Sequence, residues 1–139
     1  MYKNLDMFIL PYSDDNEPGD YWYDCGIIES TKILSSFTDS DWECLLANLN
    51  DKSIYWKIRL VECLGDLHNI YELQIILELI DIDNDELFVS CVDSLRSINL
   101  CSLPENKIKQ IELKIASLVQ NASLPVKSVL GDFMNKLKK

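Results

Sequence analysis

The sequence contains few of the residues that interrupt or cross-link a fold. Its 139 residues include only four glycines and four prolines, while 47% of the residues are hydrophobic and 26% are charged. This composition is typical of an ordered, helix-rich globular protein and argues against a disordered chain. A chain of this length buries roughly two-thirds of the surface that its unfolded form exposes, so it needs no disulfide. We therefore expect one domain over residues 1–139.

Histidine is scarce, and the cysteines lack the spacing of a metal or redox site. His68 is the single histidine, and the five cysteines form no C-x-x-C pair. Each cysteine lies in an apolar, helix-like stretch, where a lone thiol behaves as a small hydrophobe. We expect reduced core thiols in a reducing compartment, with no metal ion and no cofactor.

Long apolar runs are also missing. The run near the N-terminus, MFIL, is four residues long and ends at Pro11. It is too short for a signal peptide, and no later segment approaches the length of a membrane span. We predict a cytoplasmic protein with no membrane partner.

Catalytic motifs are lacking as well. There is no Gly-rich phosphate loop, nucleophile elbow or H-E-x-x-H, and any Ser-His or Cys-His chemistry would depend on His68 in a predicted turn. The acidic DIDNDEL places Asp81, Asp83 and Asp85 at the first, third and fifth positions of a calcium loop. The sixth position is Glu86 where glycine is needed, and the twelfth is Val92 where a bidentate Glu is needed. We predict a non-enzymatic protein without catalytic residues and without a metal site.

Basic residues are outnumbered by acidic residues, and the imbalance lies in the first three-quarters of the chain. The net charge is −10, made up of −6 over residues 1–29, −8 over residues 30–104 and +4 over residues 105–139. A potential of this sign repels nucleic acid phosphates and attracts basic proteins. Simple solubility is the alternative explanation. We expect no nucleic acid partner.

Apolar residues recur at helical spacing over most of the chain. After an irregular segment 1–19, the pattern predicts a capping helix over 20–37 and helix pairs over 40–66, 69–99 and 104–138. Ser40 and Glu43 form a possible capping box, Ser53 a second N-cap, and Pro125 fits the first turn of the last helix. The helix that follows Ser53 is apolar on most of its circumference, as expected when helix pairs stack side by side.

One stretch resembles the HEAT and HEAT-like repeats. The residues in register with that family's pattern are Leu45, Leu46, Leu49, Asp51, Trp56, Lys57, Leu64 and Gly65. A second copy keeps Leu77, Asp81, Leu87 and Leu95, and a third keeps Val126 and Lys127. The resemblance implies an all-α fold, a right-handed α-solenoid of about three antiparallel helix pairs behind an N-terminal capping helix.

Small, acidic helical-repeat proteins of this size also resemble the immunity proteins of bacterial polymorphic toxin systems, including contact-dependent growth inhibition. That resemblance implies a monomer that forms a 1:1 heterodimer with a cognate toxin domain, often a basic nuclease, and occludes its active site. A non-catalytic HEAT-like scaffold or adaptor for another protein or peptide is the alternative.

Two stretches are candidates for the partner-binding surface. Stacking would align the polar positions of the second helices, among them Tyr55, Arg59, Glu62, Glu86, Ser90 and Asp93. The other candidate is the acidic and aromatic stretch that contains Asp14, Asp15, Glu17, Asp20 and Trp22. An ordinary solvated helix face is the alternative for the first stretch, and an end cap built on Tyr21 and Trp22 is the alternative for the second.

Overall fold

The computed structural model of the chain describes residues 1–138, and within that range it contains eight α-helices and no strand. The predicted all-α class is therefore confirmed. The helices are α1 Tyr2–Ile9, α2 Ile27–Ser35, α3 Asp39–Asn48, α4 Ile54–Glu62, α5 Ile70–Leu79, α6 Asp85–Leu95, α7 Glu105–Val119 and α8 Leu124–Leu137.

The first helix corrects the prediction of an irregular segment over 1–19. Leu5 and Ile9 lie one helical turn apart and are fully buried, so α1 packs against α2, α3 and α4 as part of the core. A short 3-10 helix, Leu10–Tyr12, follows. Pro11 fits there because the N–H groups in the first turn of a helix have no acceptor within the helix, so a proline at this position loses no hydrogen bond. Within residues 2–19, irregular backbone is thus confined to residues 13–19.

The predicted capping helix contains a π-helical turn, Trp22–Gly26, directly before α2. Helical spacing predicts core positions at Tyr21, Trp22, Ile28 and Leu34. Trp22 and Leu34 are buried, but Tyr21 and Ile28 are more than half exposed. The buried positions Trp22, Gly26, Ser30 and Leu34 recur every four residues along this segment, and Tyr21 and Ile28 lie off that face. A Cβ on Gly26 would lie 2.6 Å from Cε3 of Trp22, so the indole lies directly against the glycine.

The helix caps agree with the sequence at α4 and α8 and differ at α3. Ser53 accepts a hydrogen bond from the N–H of Trp56 at 3.2 Å, and Pro125 lies in the first turn of α8. The capping box of α3 is formed by Thr38 and Asp41, two residues before the predicted pair, and both of its reciprocal hydrogen bonds are present. Thr38 has the extended backbone that a cap requires.

The second helices of the three predicted pairs contact one another in chain order. Helix α4 packs against α6, and α6 packs against α8, while α5 and α7 contact α6 and α8 respectively. The fully buried positions of α4 and α6 include Leu60, Val61, Leu87, Cys91, Val92 and Leu95. Helix α6 therefore lies at the centre of the row, with one neighbour on each side.

The turn between α4 and α5 is organised by a buried carboxylate. Glu72 is 2% exposed and accepts hydrogen bonds from the backbone N–H groups of Gly65, Leu67 and His68. The position of Gly65 after the helix predicts a left-handed stop, and its φ of +129° confirms that prediction, because this conformation favours glycine. Glu72 thereby supplies the acceptor for three backbone N–H groups of the turn between the two helices.

No helix among residues 1–138 is long and apolar enough to cross a membrane.

Candidate functional site

The acidic segment after α1 is joined to α4 and α6, the first two helices of the row. We call residues 13–19 the strap. Nη2 of Arg59 in α4 donates to Oδ1 of Asn16, and Nδ2 of Asn16 donates to Oε2 of Glu86 in α6. Gly19, at φ +92°, turns the chain from the strap into the π-helical segment. One amide side chain thus joins the strap to two helices.

Arg59 was predicted to lie on an exposed polar face, and that expectation of exposure is wrong. Its side chain is 0% exposed, because it lies among Trp22, Glu62 and the strap. The Nε atom of Arg59 lies 2.9 Å from Oε1 of Glu62, which forms an ion pair without the geometry of a hydrogen bond. The Nη1 atom of Arg59 makes no hydrogen bond to the described residues. A buried guanidinium requires anionic or polar partners, and Glu62 and Asn16 supply them.

Glu62 connects this cation to the capping helix. Nε1 of Trp22 donates to Oε1 of Glu62 at 3.1 Å. Burial raises the pKa of Glu62, although the neighbouring Arg59 acts to lower it. Trp22 itself is 0% exposed, so in this conformation its ring is a core element and offers a partner no surface.

The predicted partner-binding residues occupy three kinds of environment. Those that lie on the surface are Asp14, Asp15, Glu17, Asp20, Glu86 and Asp93. Those that are half-buried are Tyr55, Glu62 and Ser90. Those that are fully buried are Trp22 and Arg59. The two stretches that the sequence treats as separate candidates are adjacent, because Asn16 holds the strap beside Glu86.

A chain of ion pairs modifies the charge at the far end of α6. Arg96 pairs with Asp93, and its Nη1 lies 2.9 Å from Oδ2 of Asp132 in α8. The ammonium group of Lys136 donates to the carbonyls of Leu95, Arg96 and Ile98, which lie at the C-terminal end of α6. Along α6, these cations lie at the C-terminal end, whereas Asp85 and Glu86 lie exposed at the N-terminal end beside the strap.

Grooves lie on both sides of α6. On the α2 and α4 side, a polar groove is lined by Tyr23, Ile27, Glu62, Leu64, Ser90, Asp93, Ser94, Arg96 and Ser97. On the α7–α8 side, a second groove is mainly apolar and is lined by Asn16, Asp85, Glu86, Val89, Ser90, Leu118, Asn121, Ala122 and Val126. Sequence reasoning did not identify Asn16 or the apolar lining of this second groove as binding residues. Leu118 and Val126 recur at helical spacing with other apolar residues. That spacing predicts that they are buried, but it does not show that they line a groove.

The cysteines divide into two groups. Burial raises the pKa of Cys63 and of Cys91 to about 12, so both are core thiols that remain protonated, as predicted. Cys25, Cys44 and Cys101 are exposed, which corrects the prediction that they are buried. All five are free thiols. Over the part of the chain that the structure describes, no group of three or more His, Cys, Asp or Glu side chains could hold a metal ion.

Comparison of the chain with protein-family models, with curated proteins and with solved structures found no match. The functional interpretation therefore depends on the strap, the exposed face of α6 and the two grooves.

Proposed function

We propose that the chain is an immunity protein that binds a cognate bacterial toxin domain, a basic nuclease, and neutralises it by occluding its active site. The observation that supports this proposal best is the continuous acidic surface formed by the strap and α6. Asp14, Asp15 and Glu17 lie next to Asn16 in the strap, and Asn16 places the strap beside Glu86. We call this set of four carboxylates the docking surface.

The charge of the docking surface fits an inhibitor that has to act quickly. Complementary charge accelerates protein association by up to roughly a thousandfold at low salt, and an inhibitor protects only if it binds before damage occurs. Asp93 extends the surface along α6, although Arg96 partly neutralises it. In the proposed complex, the protein is a cytoplasmic monomer that forms a 1:1 heterodimer without a cofactor.

The proposed architecture is a right-handed α-solenoid of three HEAT-like helix pairs. The contacts of α4 with α6 and of α6 with α8 support it, because stacked pairs place each second helix beside the next. In such a stack, the polar positions of successive second helices lie side by side, and the strap would then lie over the first two of them.

The test uses the toxic domain that the proposal predicts to be encoded directly upstream of this gene. We expect the double reversal Glu86→Lys and Asp93→Lys to slow its association roughly tenfold at low salt and to weaken protection of cells that express the domain. The matched control, Glu43→Lys with Glu78→Lys, changes the net charge equally at exposed positions on α3 and α5. It should leave the association rate and the protection of cells unchanged.

Two results would contradict the proposal. The first is the absence of a toxic domain upstream of the gene, which would favour the scaffold or adaptor alternative. The second is equal slowing by both double variants, which would mean that net charge acts without a defined surface.

A further inference from the structure

We infer that the apolar groove between α6 and the α7–α8 turn is the anchor site for the partner. It would receive one large apolar side chain, such as leucine or phenylalanine, from a segment whose flanking residues are lysine or arginine. This inference rests on the proposed function, because it assigns a subsite to the same surface.

The groove has the size and lining of an anchor site. Its volume is about 400 Å³, within the range typical of ligand clefts. Its apolar lining is made of half-buried side chains that reach it from α6, α7, the α7–α8 turn and α8, namely Val89, Leu118, Ala122 and Val126. A large apolar side chain placed here would lose contact with water over much of its surface, which is the main source of binding energy at protein interfaces.

The rim of the groove determines which segment fits. Asp85 and Glu86 are exposed on one side, and Asn16 joins the strap to the same rim. Among the described residues that line the groove, none is a lysine or an arginine. Basic residues on either side of the inserted side chain would therefore meet Asp85, Glu86 and the strap carboxylates, whereas acidic flanks would be repelled.

The groove and the docking surface should control different rate constants. Long-range charge mainly sets the rate of encounter, and a buried apolar contact mainly sets the rate of dissociation. The roles of the two parts can therefore be separated by experiment.

Three synthetic hexapeptides test the chemistry of the groove in the absence of the natural partner. The first has two lysines, serine, phenylalanine and two lysines. The second replaces the central pair with two serines, and the third replaces the four lysines with glutamates. We expect the first peptide to bind about tenfold more tightly than either of the others and to shift the methyl resonances of Val89, Leu118 and Val126.

Two variants in α8 provide the matched comparison. Val126→Ala shortens a side chain that lines the groove, and Val129→Ala makes the same change at a half-buried position that faces the core. We expect Val126→Ala to weaken binding of the first peptide about fivefold and Val129→Ala to leave it unchanged, with circular dichroism confirming that both variants are folded.

The possible outcomes separate the two proposals. If both lysine peptides bind equally and shift only the strap and Glu86, the anchor site is refuted while acidic docking survives. If the glutamate peptide binds as tightly as the first, the assigned charge of the partner is wrong. If neither lysine peptide binds, both the anchor site and electrostatic docking at this surface are refuted.

Discussion

Substitution of Asn16 by alanine tests whether the strap is held in place by one side chain. The change removes a hydrogen bond from the buried Arg59 and another to the exposed carboxylate of Glu86. Hydrogen bonds to charged groups contribute about 1.5–3 kcal/mol each, with exposed ones at the lower end or below it. After allowance for water that can replace the amide, we expect opening of the strap to become easier by about 2 kcal/mol.

That free energy corresponds to roughly thirtyfold faster hydrogen exchange at those amides of the strap that are protected while it is closed, measured by mass spectrometry or NMR. The amides of α6 should exchange as in the wild type, because the core contacts of that helix are retained. Asn121→Ala is the control, since Asn121 is exposed on the opposite rim of the groove. Unchanged exchange in the strap of Asn16→Ala would refute the idea that Asn16 holds it.

Three further predictions concern stability. Gly26→Ala should lower the free energy of unfolding, measured by urea denaturation, by about 1–2 kcal/mol, because the added Cβ would overlap Trp22. In the same assay Gly131→Ala in α8 should raise it by about 0.5–1 kcal/mol, because no atom lies within 4 Å of the added Cβ. Glu72→Ala should lower the melting temperature and cost about 2–4 kcal/mol because three backbone N–H groups lose their acceptor; a cost within error of zero would contradict that role. Burial raises the pKa of Glu62 above 4.5, so the folded state binds its proton more tightly than the unfolded state does. The resulting contribution to stability is present below pH 4.5 and is lost as the pH rises through the folded pKa. Glu62→Gln should therefore remove this loss from the pH dependence of the unfolding free energy, and an unchanged profile would contradict the argument.

Helical periodicity predicts the helices from α3 to α8, because each has several apolar residues at 3.6-residue spacing, and α3 to α6 also have a side-chain N-cap. It missed α1, which is two turns long and buries only Leu5 and Ile9. It also missed the π-helical turn, since the contact between Trp22 and Gly26 that accompanies it leaves no periodic signal.

The candidate site could be predicted only in part. The exposed acids of the strap and α6 follow from composition and from helical faces, but their adjacency depends on Asn16, which lies 43 residues from Arg59 and 70 from Glu86. Local patterns carry no information about contacts at such separations. Arg59 was assigned to a solvated face for the same reason, because nothing near it in the chain indicates that the strap covers it.

The most direct test of the account is the hydrogen-exchange footprint of the complex with the toxic domain that we predict to be encoded upstream. We predict that binding protects the strap, residues 13–19, together with the N-terminal half of α6 and the α7–α8 turn, and leaves α3 and α5 unchanged. Protection confined to α3 and α5, with the strap and α6 exchanging as in the free protein, would contradict the claim that the acidic surface is where the partner binds.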